Sequence, residues 1–352
     1  MRGQPIPIRP RRNVLSFPTP VNGREELTQQ LASRLVGQSH AIAEIVPYVQ
    51  MYRAGLAPEG RPAGVFLLLG PTGTGKTRTV EALADALHGS EKSLVRVDCG
   101  EFQMEHEIAK LIGAPPGYLG HRETPPMLTQ QKLGAMTSEG SNLALVLFDE
   151  IEKAAPSMTR LLLGVLDKAV LRLGDNTSVN FERTLIFLTS NLGASAMRKE
   201  VLPDFGFGSA MPGSGDGTLR KLSSIGLGAV KRKFAPEFVN RIDAVVTYQP
   251  LDADALEAIL DQQVAALERH IAHRLEDRAF ALELDASARR FLLAKGTNRE
   301  YGARELKRII LRKLTQPLAA MVEANLVPPD SVVLAAHHGD SDQLTLSVAE
   351  SQ

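Results

Sequence analysis

A run of five apolar residues, Val65-Phe-Leu-Leu-Leu69, ends on a glycine-rich turn, Gly70-Pro-Thr-Gly-Thr-Gly75. That turn leads through Lys76 and Thr77 into a helix-forming stretch over residues 80–87. A strand that is apolar on both faces has to be covered on both sides. Similar runs recur at Leu94-Val-Arg-Val-Asp98, Leu143-Ala-Leu-Val-Leu-Phe148, Thr184-Leu-Ile-Phe-Leu-Thr189 and Ala244-Val-Val-Thr-Tyr248, with helical segments between them. This alternation predicts an α/β three-layer sandwich built on a five-stranded parallel sheet. Ligands of such sheets bind at the carboxyl ends of the strands, and the informative polar residues follow these apolar runs.

The pattern changes outside that block. Residues 1–30 hold five prolines and the cluster Arg9-Pro10-Arg11-Arg12, and are expected to form a flexible leader. Residues 31–249 are assigned to the large α/β domain. Residues 250–352 are assigned to a smaller, mainly helical C-terminal domain. There Asp252 is placed to cap a helix carrying Leu256, Leu260, Val264, Leu267 and Ile271 on one face. A second amphipathic segment over 303–322 is expected to be interrupted at Pro317, and segments 331–335 and 343–348 to pair as a terminal hairpin. Residues 204–217, rich in glycine, form a loop inside the large domain.

Forty basic and forty acidic residues cancel, which argues against a surface dominated by nucleic acid. The apolar runs are too short to span a membrane. One cysteine, Cys99, excludes an internal disulfide framework and is expected to be a small core residue. A reducing cytoplasm is the default compartment.

The segment Gly70-Pro71-Thr72-Gly73-Thr74-Gly75-Lys76-Thr77 fits the P-loop pattern, in which backbone N–H groups cradle phosphate oxygens. Lys76 would neutralise the β and γ phosphates of ATP, and the Thr77 hydroxyl would bind Mg²⁺. The start of the following helix adds the positive end of its dipole. Asp149, at the end of another strand, can hold Mg²⁺ through water, and Glu150 beside it can polarise an attacking water. Asn191 could orient that water or contact the γ-phosphate; a turn-forming asparagine is the alternative.

With these motifs in order, the sequence resembles the AAA+ superfamily, and within it the Clp class of unfoldases and disaggregases, above all the second ATPase module of two-ring members. The likeness rests on Val36-Gly37-Gln38, the P-loop, Leu111-Ile-Gly-Ala-Pro-Pro-Gly-Tyr-Leu-Gly120, Leu147-Phe-Asp-Glu-Ile-Glu-Lys-Ala154, Leu188-Thr-Ser-Asn-Leu-Gly193, Pro236-Glu-Phe-Val-Asn-Arg-Ile-Asp243 and Gly302-Ala-Arg304-Glu-Leu-Lys-Arg308. The resemblance implies that Val36 and Gly37 line an adenine pocket. It implies that Arg241 is an arginine finger reaching the neighbouring subunit, and that Arg304 contacts the γ-phosphate of its own subunit. For Arg304 a solvated basic helix face, with Lys307, Arg308 and Arg312, is the rival reading. A finger acting in trans implies a homo-oligomeric ring, a hexamer.

The same resemblance makes Gly117-Tyr118-Leu119-Gly120 a pore loop that pushes polypeptide, whereas the residues alone allow an aromatic packed against the body. The chain departs from the family after Gly120, and in Asp167-Lys-Ala-Val-Leu-Arg-Leu-Gly174, where Ala169-Val170 replace the family's Gly-Arg pair. Phe205-Gly206-Phe207 is a candidate contact for a ClpP-type peptidase, or a loop anchored by its own aromatics. Ile225-Gly226-Leu227 matches that tripeptide by letter but falls in a predicted helix. The expected activity is ATP-dependent unfolding of threaded polypeptides. The alternatives are a nucleic-acid motor or loader, and an ATP-binding assembly scaffold.

Overall fold

The computed structural model describes residues 22–114, 125–201, 216–297, 302–339 and 341–349. Strands β1 (Gly64–Leu69), β2 (Val95–Asp98) and β3 (Ala144–Asp149) come first, followed by a short antiparallel hairpin, β4 (Val170–Arg172) and β5 (Ser178–Asn180). Strands β6 (Thr184–Ser190) and β7 (Ala244–Thr247) complete the large region. Five of these strands form one parallel sheet in the order β2-β3-β6-β1-β7, from the five apolar runs of the sequence.

Alternate residues of the central strands feed two separate cores. Val65, Leu67, Leu69, Val146, Phe148, Ile186 and Leu188 pack on one face, against the helices Pro156–Lys168 and Asp216–Lys233. Phe66, Leu68, Leu145, Leu147, Leu185 and Phe187 pack on the other, against the helices Ser39–Arg53 and Lys76–His88. Phe66 stacks on Phe187 and takes Tyr48 edge-on. This two-sided cover explains why every residue of β1, β3 and β6 is buried. The register sets Leu69 beside Ser190, Phe148 beside Leu188 and Asp98 beside Asp149, so the carboxyl ends of β1, β3 and β6 lie along one edge.

Beyond β7, Asp252 caps the helix Ala253–Leu275 by accepting the Ala255 N–H at 2.8 Å. The remaining strands are β8 (Ala281–Leu284), β9 (Val332–Ala336) and β10 (Thr345–Ala349). The expected terminal hairpin is present as β9 and β10, and β8 adds a parallel third strand to it. Pro317 does not interrupt its helix. The backbone widens into a π-turn over Leu311–Thr315 just before the helix Gln316–Glu323, which takes up the proline's missing N–H. Helical structure also starts within the segment expected to be a leader: the helix Asn22–Arg34 buries Leu27 and Leu31. Ile225-Gly226-Leu227 lies within the helix Asp216–Lys233, as anticipated. The leader's Arg9, Arg11 and Arg12, the pore-loop residues Gly117, Tyr118, Leu119 and Gly120, and Phe205-Gly206-Phe207 lie outside the described residues. No helix among the described residues is long and apolar enough to cross a membrane.

Ala169 adopts φ 51° at the end of the helix Pro156–Lys168. An L-residue in the left-handed region crowds its Cβ against the backbone. Ala169→Gly relieves that crowding but removes a fully buried methyl and adds chain entropy, so the terms nearly cancel and stability should change by no more than about 1 kcal/mol. Urea unfolding should show a midpoint close to that of the parent with unchanged slope; a shift worth about 2 kcal/mol or more would contradict it.

Candidate active site

The aligned strand ends build a cleft from sequence-distant segments. Lys76 opens the helix Lys76–His88 directly after Gly75, which takes φ 103°. The Gly75, Lys76 and Thr77 amides have no backbone acceptor among the described residues, as expected for a helix start. Gly75, Lys76 and Thr77 all line the cleft. The Lys76 ammonium is buried there. It donates to the carbonyls of Gly70 and Pro71 at 2.6 and 2.9 Å, and to Asn191 Oδ1 at 2.9 Å.

Asn191 follows β6 and joins two opposite charges. Its Oδ1 accepts from Lys76, while its Nδ2 donates to Glu150 Oε1 at 3.2 Å. Its backbone N–H donates to Glu152 Oε1 at 3.0 Å. A carboxylate in this place could not donate and an ammonium could not accept, so an amide is the side chain that serves both neighbours. This favours a working asparagine over a turn former.

Glu150 stands at the end of β3 with φ 56° and ψ 51°. A non-glycine residue in this region is strained, and such outliers cluster at functional sites. Thr189 holds the turn. Its Oγ1 accepts the Glu150 N–H at 2.9 Å and donates to Asp149 Oδ1 at 2.5 Å. The second Glu150 oxygen pairs with Lys153. Asp149 Oδ2 pairs with Arg96 Nη2 from β2 at 2.5 Å.

The second region closes the cleft. Arg304 lines it from the first turn of the helix Ala303–Ile310. The Ala303 N–H donates to the Gly73 carbonyl at 3.2 Å. Gly302 has φ 51°, and a Cβ there would stand 2.9 Å from the Gly73 oxygen, so only glycine permits this approach. Leu35, Val36, Leu251 and Ile259 form the apolar end of the cleft, suited to a flat base. Thr72, Gly73 and Thr74 line its wall. Gly37, Gly70 and Pro71 are not part of the lining; the latter two act through their carbonyls on Lys76.

Arg241 is not brought to this cleft. It is half-exposed elsewhere and pairs through Nε with Asp167 Oδ1 at 3.1 Å.

Sequence reasoning missed several contributors. Gln38 is buried; its Nε2 donates to the carbonyls of Thr74 and Gln249, at 3.1 and 3.0 Å. It thereby ties the P-loop to the connector leading out of β7. Arg96, Glu152 and Thr189 were also missed. Arg96 carried a faint signal, as a lone charge in a strand beside one ending in two carboxylates.

Burial lowers the pKa of Lys76 to about 8, against the pull of Glu152 and Asp149 and with a smaller push from Arg304. Burial pushes the Cys99 thiol up, and Cys99 sits in the core as expected. Among the described residues no group of three or more His, Cys, Asp or Glu side chains could hold a metal by itself. Thr77 and Asp149 are the oxygen donors that suit Mg²⁺, which keeps waters and phosphate oxygens as its other ligands.

A family model described as AAA domain (Cdc48 subfamily) matches residues 61–245. The chain belongs to the AAA family. A second model, described as the C-terminal, D2-small domain of ClpB protein, matches residues 251–335. This AAA chain is 39% identical to the chaperone protein ClpB of Rhodopseudomonas palustris over 89% of its length. It is 38% identical to ClpB of Meiothermus ruber over 86% of its length. In each case it spans 33% of the relative, about a third of those curated proteins. Among solved structures it resembles Hsp104, from a closed-state reconstruction with ATPγS and FITC casein. The TM-score there is 0.75 at 28% identity, over 92% of this chain and 51% of that one.

Nucleotide phosphates favour the charged form of Lys76, whose pKa in the free chain is about 8. Binding at pH 8 to 9 should therefore take up a proton, and affinity should fall as pH rises through that range. Titration calorimetry in buffers of different ionisation enthalpy would detect the uptake, which Lys76→Met should abolish. Equal uptake by that variant would remove Lys76 from this role.

Proposed function

We propose that the chain binds ATP with Mg²⁺ and hydrolyses it at a site completed by a neighbouring copy in a hexameric ring, using the energy to pull polypeptide through the central pore. One observation carries the hydrolytic half. Lys76, Asn191 and Glu150 form a continuous hydrogen-bonded line from the phosphate cradle to a carboxylate. Lys76 and the amides of Gly75 to Thr77 hold phosphate oxygens, and Asn191 orients Glu150. Released from Asn191, Glu150 Oε1 can accept a proton from an attacking water. Thr77 and, through water, Asp149 would hold a Mg²⁺ ion, which would supply positive charge against that developing on the phosphates.

The trans contribution is supported by the position of Arg241, outside its own cleft. Its tether to Asp167 is an exposed ion pair worth no more than about 1 kcal/mol. It can leave that partner at little cost, and a phosphate is a stronger one. The pulling half is supported by the likeness to ClpB and Hsp104, the latter solved with casein. On this reading the gripping role falls to Tyr118, a flat amphipathic ring that tolerates varied side chains.

Glu150→Gln should keep ATP affinity and lose hydrolysis by about 10²-fold or more, the scale of a lost general base. An enzyme assay beside a nucleotide-binding assay separates the two; normal turnover would remove Glu150 from the chemistry. Tyr118→Ala should hydrolyse ATP normally and fail to unfold a tagged substrate. If it unfolds that substrate at the wild-type rate, the threading mechanism is wrong.

A further inference from the structure

The tip of Arg241 is loosely held, on the exposed pair with Asp167, but its backbone is pinned from both sides. Before it stands the one-turn helix Pro236–Val239, docked by Phe238, which is buried and stacks on Phe234 with ring centroids 5.1 Å apart. The Asn240 N–H donates to the Pro236 carbonyl at 2.9 Å. The Arg241 N–H donates to the Phe238 carbonyl and the Ile242 N–H to the Val239 carbonyl, both at 3.2 Å.

After it comes Asp243, one residue before the edge strand β7, whose pairing with β1 begins at Ala244 beside Phe66. Asp243 engages both backbone groups of Val65. Its N–H donates to the Val65 carbonyl at 2.9 Å, and its Oδ2 accepts the Val65 N–H at 2.8 Å. The carboxylate thus fills a place in the ladder that a main-chain carbonyl fills elsewhere.

The other carboxylate oxygen, Oδ1, accepts from Arg61 Nη2 at 2.6 Å. An amide oxygen would serve the Val65 N–H equally well; only a carboxylate also gives Arg61 an opposite charge. Arg61 depends on this contact, because its Nε is buried and finds no partner among the described residues. Asp243 keeps 19% of its side-chain surface exposed, against 38% for Asp167, so water screens the Arg61 pair less than the Arg241 pair.

These observations separate two demands on one residue. A long arginine side chain has many rotamers and cannot fix the place of its own tip. A donor that reaches a reacting phosphate has to arrive within a fraction of an ångström, so the accuracy has to come from the backbone that carries it. Two residues beyond Arg241, that backbone is clamped to β1, a strand at the middle of the sheet.

We propose that Asp243, fixed between Val65 and Arg61, is the positioning residue that sets where Arg241 leaves the sheet edge and so aims it at the neighbouring copy. This rests on the shared-site reading above and adds a residue that touches neither nucleotide nor neighbour. Losing the clamp damages the site of the next copy and leaves the chain's own cleft intact.

Subunit mixing with full chains tests this. Asp243→Ala should bind ATP and assemble as the wild type does, and should lose hydrolysis by at least about tenfold, the result of a misplaced donor. Mixed in equal amounts with Glu150→Gln, it should recover to about a quarter of wild-type activity, because Glu150→Gln copies bring a placed Arg241 to intact Glu150 sites. Mixed with Arg241→Ala it should stay inactive, because neither copy then presents a placed Arg241. The reverse pattern, recovery with Arg241→Ala and none with Glu150→Gln, puts the defect in the variant's own cleft and overturns the proposal. Wild-type turnover by Asp243→Ala alone overturns it too. Arg61→Ala leaves the Val65 clamp in place; it should follow the same mixing pattern after a loss of at least about threefold, and serves if Asp243→Ala does not fold. Arg241→Ala mixed with Glu150→Gln is the control. No recovery there sinks the shared-site reading and this proposal with it, whereas recovery there but not with Asp243→Ala sinks the positioning role alone.

Discussion

A buried ammonium organises this molecule. Lys76 lies inside the cleft with three oxygen acceptors, two of them carbonyls of its own loop and the third an amide oxygen of Asn191, just past β6. A buried cation is tolerated only where its donors are satisfied and opposite charge is near. Here the nearby carboxylates come from the end of β3, and they are near because β3 and β6 run parallel in a register that ends them together. Central strands, loop glycines and the Asn191 amide therefore answer one requirement. The same requirement leaves Lys76 with a lowered pKa, a group whose charge a bound phosphate stabilises.

The P-loop is held at two places, one of them by the second region. Gln38 links the Thr74 carbonyl to the connector at Gln249, and the Ala303 N–H meets the Gly73 carbonyl where Gly302 allows it. A rotation of the second region would therefore move the loop backbone as well as Arg304. Arg241 is arranged in the opposite way, on an exposed ion pair that costs little to break. On the proposed reading, this loosely held cation is the group that reaches the neighbouring copy.

The parts of the fold that sequence made legible are those where burial leaves a one-dimensional trace. Strands β1, β3 and β6 are covered on both faces and so appear as unbroken apolar runs. Strand β8 is four residues long, has a single fully buried residue, and is paired in parallel with a strand some fifty residues on, so nothing local announces it. The helix Asn22–Arg34 was masked by the prolines before it, although Leu27, Leu31 and Leu35 recur at helical spacing. In the site, Lys76, Asp149 and Glu150 belong to local motifs. Gln38, Arg96 and Thr189 work through partners far along the chain, which no local pattern encodes.

On the proposed reading, hydrolysis needs Glu150 from one copy and Arg241 from the next. Two variants, Glu150→Gln and Arg241→Ala, should each be inactive alone. Mixed in equal amounts under conditions that assemble the ring and exchange subunits, they create interfaces with an intact Glu150 on one side and an intact Arg241 on the other. Random mixing makes such interfaces about a quarter of the total, so ATPase activity should return to about a quarter of the wild-type value. If the mixture remains as inactive as its parts, or if Arg241→Ala hydrolyses ATP normally alone, the shared-site account is wrong.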